Sequence, residues 1–285
     1  MASVSCCFVL VASGRDERYL ECGTLTAIRS IRTTNPGIPL VVLHNDLTAD
    51  QQQLFEGVFL KHIQGIDFRL SQWSLTARPD IPATCFLTLF VESIDEFDVA
   101  VYIDADAVVL EPLDELFGLE APLAARLMED HPLAEHFENG DELLEREHIS
   151  AGPALNNGIM RFDLRYWRSR GLLEEARRLY ARHGVDAFRY ADQSLLNLVA
   201  YKTGTLTPLP RTYNFSRYPD MLRMEHTLVK NRKGFTAPLI PEGIAKVVHW
   251  TGPLKPWSAE VGQLDDSRAA MCLECFEQFR VHGCR

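Results

Sequence analysis

No stretch of this chain approaches the ~18 consecutive apolar residues of a membrane span. No block of Lys or Arg provides the basic stripe of a nucleic-acid surface, and a formal net charge of -10 points the same way. An acidic chain that binds an anion must use a local device, such as a metal ion or a helix N-terminus. Internal repeats and low-complexity linkers are also missing, which argues against solenoids and strings of tethered modules. Cysteines number seven, an odd count, and Cys6 and Cys7 are adjacent. Neither property suits a secreted disulfide framework. The apolar run within Met1–Ala12 has no basic region ahead of it. The expected setting is therefore reducing and cytoplasmic, with any membrane contact peripheral. The single CxxC, Cys272 and Cys275, has no second pair and lies in an amphipathic pattern, so it reads as packing.

What is present fits a soluble α/β protein. The 285 residues are 46% hydrophobic, long enough to bury roughly three quarters of the unfolded surface without staples. SCCFVLVA (Ser5–Ala12) reads as a buried strand. A helix follows, with Leu20, Leu25, Ile28 and Ile31 at helical spacing and a stop at Asn35-Pro36-Gly37. PLVVLHN is a second strand, and Thr48 opens a second helix. Strand, helix, strand, helix with short connections predicts a mostly parallel sheet. Downstream, PATCFLTLFVESIDEF reads as a helix and DVAVYID as a strand. Residues Glu129–Glu147 read as a variable excursion or lid, and IMRFDL as a strand. Tyr166–His183 reads as one long helix, with another beginning at Asp192-Gln193. GIAKVVHW reads as a strand, and a final helix is expected from about Asp265 to Val281. One domain over 1–260 and a helical extension over 261–285 account for this order.

The chemistry concentrates where apolar strands end. In VAVYIDADAVVLEPLDELF two carboxylates, Asp104 and Asp106, interrupt an apolar run. Residues i and i+2 on a strand share a face, and open α/β sheets bind ligands at the carboxyl ends of their strands. Two convergent carboxylates need a cation or a shared proton. His249 repeats the arrangement at the end of GIAKVVHW, where a lone histidine is more often a hydrogen-bonded core residue. Behind it, Gly252 permits close backbone approach, Pro253 and Pro256 stiffen the turn, and Lys255 supplies a point charge suited to phosphate. Two Asp and one His suit Mn²⁺, with Mg²⁺ the alternative.

Four segments, YIDADAVVLEPLDELF, ALNNGIMRFDL, YADQSLLN and VVHWTGPLKPW, occur in this order and at separations that resemble glycosyltransferase family 8. That family includes glycogenin and bacterial lipopolysaccharide galactosyl- and glucosyltransferases. The resemblance runs from the first strand to about Trp257. It implies the GT-A fold, a Rossmann-like α/β sandwich. It also implies a nucleotide-sugar donor, usually UDP-linked, and transfer to a glycan or glycolipid-linked hydroxyl with retention at the anomeric carbon. By the same resemblance Asp104, Asp106 and His249 match the metal ligands, and Gly252 and Lys255 the diphosphate-binding turn. Asn156 matches the asparagine of an Asn-Ala-Gly motif near the donor sugar. Asp192 and Gln193 match the pair beside the anomeric carbon. Ala12 and Tyr19 match, more loosely, the strand end and tyrosine that flank the nucleobase, with Asp16 a further candidate there.

Two positions depart from the pattern. Many members carry a basic residue in the turn occupied here by Leu87, Thr88 and Leu89, so either Arg15 or Arg78 substitutes or the donor differs from the usual UDP-hexose. Asn157 stands where the family has Ala, and a larger polar group there would change which sugar hydroxyls are read. Other features have plainer readings. Asp114 and Glu115 read as a solvated helix start, and Asp130 as surface or an acceptor contact. Trp250 and Trp257 read as core or sugar-stacking residues. A sugar-nucleotide pyrophosphorylase would want a Gly-rich, Arg-containing phosphate loop, whereas SGRDERY has one Gly. A sugar-nucleotide-binding module without turnover is the other alternative. The complete ligand set argues against it, and Leu87 is its best support.

Overall fold

Near-continuous apolar runs make strands that are covered on both faces, and this sequence has several. In a computed structural model describing residues 4–64, 83–252, 254–258 and 272–281, these runs become β1 (Cys6–Val11), β2 (Leu40–His44), β3 (Phe59–His62) and β4 (Val99–Ile103). Next come β5 (Ala107–Val109), β6 (Leu123–Pro132), β7 (Pro153–Asp163), β8 (Leu206–Pro208) and β9 (Phe215–Ser216). The remaining strands are β10 (Thr227–Lys230), β11 (Thr236–Ile240), β12 (Gly243–Ile244) and β13 (Val247–His249).

The main sheet has seven strands in the order β3-β2-β1-β4-β7-β6-β8. Strands β1 to β4 pair in parallel, and β7 runs antiparallel between β4 and β6. Alternate residues enter opposite cores, as the two-residue period requires. Val9, Ala100 and Tyr102 face a cluster with Phe86, Leu196 and Trp167. Leu10, Val101 and Ile103 face Ile28 and Ile31 of the helix Leu25–Thr34. A smaller sheet, β5-β13-β9, adjoins a third cluster in which Val248 and Trp250 pack with Cys272, Cys275, Phe276 and Phe279. The CxxC pair is accordingly buried packing, and burial pushes both thiols up.

Several expectations need correction. The apolar run around the acidic pair is two strands in two sheets, β4 and β5. Asp104 and Asp106 therefore sit in the turn between them and not on one strand face. They converge because the chain changes sheets there, with Ala107 N donating to Asp104 O at 3.1 Å. The segment Ala83–Ser93 winds as a 3-10 helix. The long helix over Tyr166–His183 is two helices, Leu164–Arg170 and Leu172–His183, broken at Gly171, whose φ of 60° is left-handed.

The excursion over Glu129–Glu147 belongs to the core. It continues β6, makes a 3-10 turn at Leu133–His136 and forms the helix Gly140–Arg146, with Leu133, Phe137, Leu143 and Leu144 buried. Its acidic composition misled because Glu147 is an anchor. The Glu147 side chain is 1% exposed and meets Arg182 at 2.9 Å, His183 at 2.8 Å, and Lys202. The C-terminal helix is described at Leu273–Glu277, and residues 265–271 of its expected span lie outside the described residues.

Candidate active site at the strand ends

The turn after β4 and the end of β13 bring Asp104, Asp106 and His249 together, with one ligand-type atom from each lying within 4.8 Å of the others. His249 Nε2 is 3.4 Å from Asp104 Oδ2 and 3.2 Å from Asp106 Oδ1. The main chain fixes this placement. Asp104 N donates to Gly158 O at 2.8 Å and Trp250 N to Asp106 O at 2.9 Å. Burial works against charging His249, but Asp106 and Asp104 outweigh it and raise its pKa to about 9. Burial likewise opposes ionised Asp106, and Lys255 and His249 overcome it, holding that carboxyl well below the usual range.

The orientation of the imidazole follows from one backbone donor. Gly158 N–H donates to the Asn156 side chain at 3.0 Å, so the accepting atom is the Oδ1 oxygen. Asn214 meets that same oxygen at 2.7 Å and must present its amino group there. Its own oxygen is then turned to His249 Nδ1 at 3.1 Å, so Nδ1 carries a proton and Nε2 is the nitrogen that loses one when a cation binds. Nε2 is left facing the two carboxylates. Such outer partners fix the tautomer of metal-ligating histidines. Asn214 is itself held from behind, because the buried Arg126 donates to its carbonyl at 2.7 Å and pairs with the buried Asp220.

The residues present fit a divalent cation. Buried Asp106 Oδ1 makes no hydrogen bond of good geometry among the described residues and has His249 Nε2 at 3.2 Å as its neighbour, so a cation held between the carboxylate and the imidazole would complete both. Gly158 also leaves the imidazole the room it occupies, since a Cβ there would run into its Cε1 and Nδ1.

Lys255 approaches from the other side, its ammonium on Asp106 Oδ2 and 5.8 Å from the centre of the Tyr19 ring. Trp257 seats this turn, edge-on to Tyr19 at 5.3 Å, and its ring lies where a side chain at Gly23 would be. Tyr19 is thus beside the cluster of Asp104, Asp106 and His249, and burial followed by Asp106 and Asp104 pushes its phenol well up. Gly252 has a φ of 92°, the left-handed geometry that favours glycine, while Pro253 lies outside the described residues. Ala12 directly follows β1 and is buried, its N–H on Leu43 O at 3.0 Å. Asp16 caps the turn into the segment Tyr19–Thr24, its Oδ1 accepting from Tyr19 N at 2.9 Å. Trp250 is fully buried core. Asp130 is exposed and 3.6 Å from Arg223.

Asp192 and Gln193 open the helix Ala191–Thr203. Asp192 is buried; burial and then Asp104 push its carboxyl well above the usual range, against hydrogen bonds from Asn157, Gln193 N–H and Thr88. Asn157 Nδ2 donates to Asp192 Oδ2 at 2.8 Å, and Asn157 N to Gln193 Oε1 at 3.3 Å. Tyr102 donates to Asp104 Oδ1 at 2.6 Å and is also within reach of Thr88. Leu87 is fully buried in the core. Arg15, offered as its replacement, is exposed and 3.4 Å from Asp46, and Arg78 lies outside the described residues. Tyr102, Thr88 and Asn214 escaped sequence reasoning, since they reach the site from three different elements: strand β4, the 3-10 segment Ala83–Ser93 and the residue before β9, which pairs with β13.

The sequence pattern of glycosyl transferase family 8 matches residues 10–260. The chain belongs to glycosyl transferase family 8. Among curated proteins, this family-8 chain is 27% identical over 246 residues to a probable glycosyl transferase Gly of Streptococcus gordonii, covering 84% of this chain and 32% of that protein. It is 24% identical over 237 residues to the glycosyltransferase GlyA of Streptococcus pneumoniae, covering 82% and 30%. The chain therefore spans about a third of the length of these relatives. The galactosyltransferase LgtC, solved with donor and acceptor sugar analogues, superposes with a TM-score of 0.69 at 21% identity over 95% of this chain and 94% of that one. That likeness shows the α/β GT-A fold. Among the described residues no helix is long and apolar enough to cross a membrane.

Proposed function

We propose that this family-8 chain is a metal-dependent retaining glycosyltransferase that moves a hexose, glucose or galactose, from a UDP-sugar to a hydroxyl of a glycan or glycolipid-linked acceptor. The observation that carries the reading is the meeting of Asp104, Asp106, His249 and Lys255 at the strand ends, with Asp192 close enough to feel the charge of Asp104. Residues 1–260 are taken as the catalytic unit and 261–285 as an extension. Mn²⁺ is the preferred ion for a two-carboxylate, one-imidazole set, and Mg²⁺ the alternative. Such a cation, when bound, neutralises charge on a departing diphosphate.

The chain's own groups supply the rest. Lys255 provides a mobile positive charge for the diphosphate, and Gly252 lets the backbone come close. Tyr19 and Ala12 border the nucleobase side, with Asp16 shaping that turn, and Asn156 lies on the sugar side. Retention by double displacement needs an ionised carboxylate beneath the anomeric carbon. Asp192 is a poor nucleophile in its buried, proton-favouring setting, and Gln193 is a poorer one. This supports same-face attack, with both residues positioning the sugar and stabilising charge that develops on it.

Donor hydrolysis across a panel of nucleotide sugars, with and without Mn²⁺, tests the reading. Release of UDP from UDP-glucose or UDP-galactose should require Mn²⁺ and fall to background with His249→Ala. Release indifferent to EDTA and to that substitution refutes metal dependence. Binding of a UDP-sugar without any release would favour a non-catalytic module, the alternative that buried Leu87 supports.

A further inference from the structure

Asn156 and Asn157 are neighbours on β7, so their side chains leave the strand on opposite faces. Asn156 turns to Asn214 and through it to His249. Asn157 turns to the helix Ala191–Thr203 and donates to Asp192 Oδ2 at 2.8 Å, while its backbone N–H donates to Gln193 Oε1 at 3.3 Å. One turn further along that helix, Asn197 clips it to the same strand. Its side chain accepts from Leu155 N at 2.8 Å and donates to Leu155 O at 3.1 Å and Gln193 O at 2.8 Å.

The backbone just before Asp192 is strained. Ala191 has a φ of 48°, in the left-handed region that a Cβ disfavours, a conformation that the surrounding structure must enforce. The strain delivers Asp192 into a buried position where one carboxylate oxygen meets Asn157 and the Thr88 hydroxyl is also in reach. Thr88 has only one proton to give, and Cys85 O, at 2.8 Å, and Tyr102 compete for it. Among the described residues the Asn157 amide nitrogen has Asp192 as its one hydrogen-bond partner.

We infer that Asn157 is a positioning residue: its side-chain amide fixes the Asp192 carboxyl, and its backbone N–H fixes the Gln193 amide, so that strand β7 sets the geometry of both groups. The inference deepens the glycosyltransferase reading and rests on it. It adds to the expectation that Asn157 changes which sugar hydroxyls are read, since Asp192 engages one of the two amide hydrogens and leaves the other and the amide oxygen.

Two readouts test this, one of which needs no donor. In the ligand-free protein the carboxyl ¹³C resonance of Asp192, assigned by its loss in Asp192→Asn, should move in Asn157→Ala and move less in Asn157→Ser, which keeps a donor. With UDP-glucose or UDP-galactose and Mn²⁺, Asn157→Ala should lose about 10–100-fold in kcat with KM within about threefold, the signature of a misplaced reacting group. A resonance that stays put in both variants overturns the inference. So does a raised KM at unchanged kcat, which would make Asn157 a donor-binding group. If the unmodified protein consumes no nucleotide sugar, the glycosyltransferase reading fails by itself, and the resonance alone then decides whether Asn157 holds Asp192.

Discussion

Gly158 and His249 share one volume: a Cβ on Gly158 would occupy the space of Cε1 and Nδ1 of the imidazole. Gly158 also carries the carbonyl that receives Asp104 N at 2.8 Å and the N–H that orients Asn156 at 3.0 Å. One glycine thereby couples the positions of Asp104 and His249, two of the residues that could hold a metal ion.

Gly158→Ala should therefore displace His249 while leaving the sheet intact, because β7 remains paired on both sides. Metal affinity should fall at least about tenfold, in line with the effect of disturbing the partners of a ligand. Mn²⁺ titration by electron paramagnetic resonance, alongside far-UV circular dichroism to verify folding, measures it. A folded variant with unchanged Mn²⁺ affinity would show that His249 is not a ligand.

His249 gives a pH prediction with a definite sign. Its folded pKa is raised to about 9 from the ordinary histidine value of 6.5. In the metal-free protein its stabilising contribution is therefore fully present below about pH 6.5 and is lost as pH rises through about 9. A metal ligand must offer a neutral nitrogen, so cation binding near pH 7.5 should expel close to one proton per ion. Calorimetric Mn²⁺ titrations in buffers of different ionisation enthalpy count that proton. Binding with no proton release at pH 7.5 contradicts the assignment.

Glu147 makes the opposite pH prediction. Burial opposes its charge, but hydrogen bonds from Lys202, Arg182 and His183 lower its pKa to about 2. Its contribution is present above pH 4.5 and fades as pH falls through about 2. Glu147→Gln leaves the three partners without their anion and should cost about 1–3 kcal/mol at neutral pH. The loss should shrink as the pH is lowered, as followed by urea denaturation. A variant as stable as the parent at pH 7 would mean that the pairs are dispensable.

The sequence was most legible where chemistry and apolar runs coincide. Acids and a histidine stand out at the ends of buried strands, so the meeting of Asp104, Asp106, His249 and Lys255 was legible, as was the mostly parallel sheet. The turn between β4 and β5 was hidden, because a run such as YIDADAVVL looks the same whether it continues one strand or passes from one sheet to another. Glu147 was misjudged because burial of an acid depends on Lys202, Arg182 and His183, which come from other elements. Asn157 was singled out as a departure, but its role required the face of β7 on which it lies. Tyr102 looked like one more strand residue until its hydroxyl was found on Asp104 at 2.6 Å.

Lys255 sits on Asp106, one of the groups assigned to the cation, so the two positive charges compete for that carboxylate. If Lys255 serves the diphosphate, cation loading must release the ammonium from Asp106 and make it available to the nucleotide. Lys255→Met keeps the length of the side chain and its packing beside Tyr19 while removing the charge. Mn²⁺ should then bind the nucleotide-free protein as tightly as before or tighter, since a competitor is gone. UDP should bind at least about tenfold more weakly in the presence of Mn²⁺, the loss of one charge-assisted contact. Arg at this position should restore little, because a planar fork does not reproduce a compact ammonium in so narrow a turn. Calorimetry with Mn²⁺ alone and with UDP plus Mn²⁺ separates the two effects. Parallel weakening of both would mean that Lys255 builds the metal site, and an unchanged UDP affinity would remove it from the diphosphate altogether.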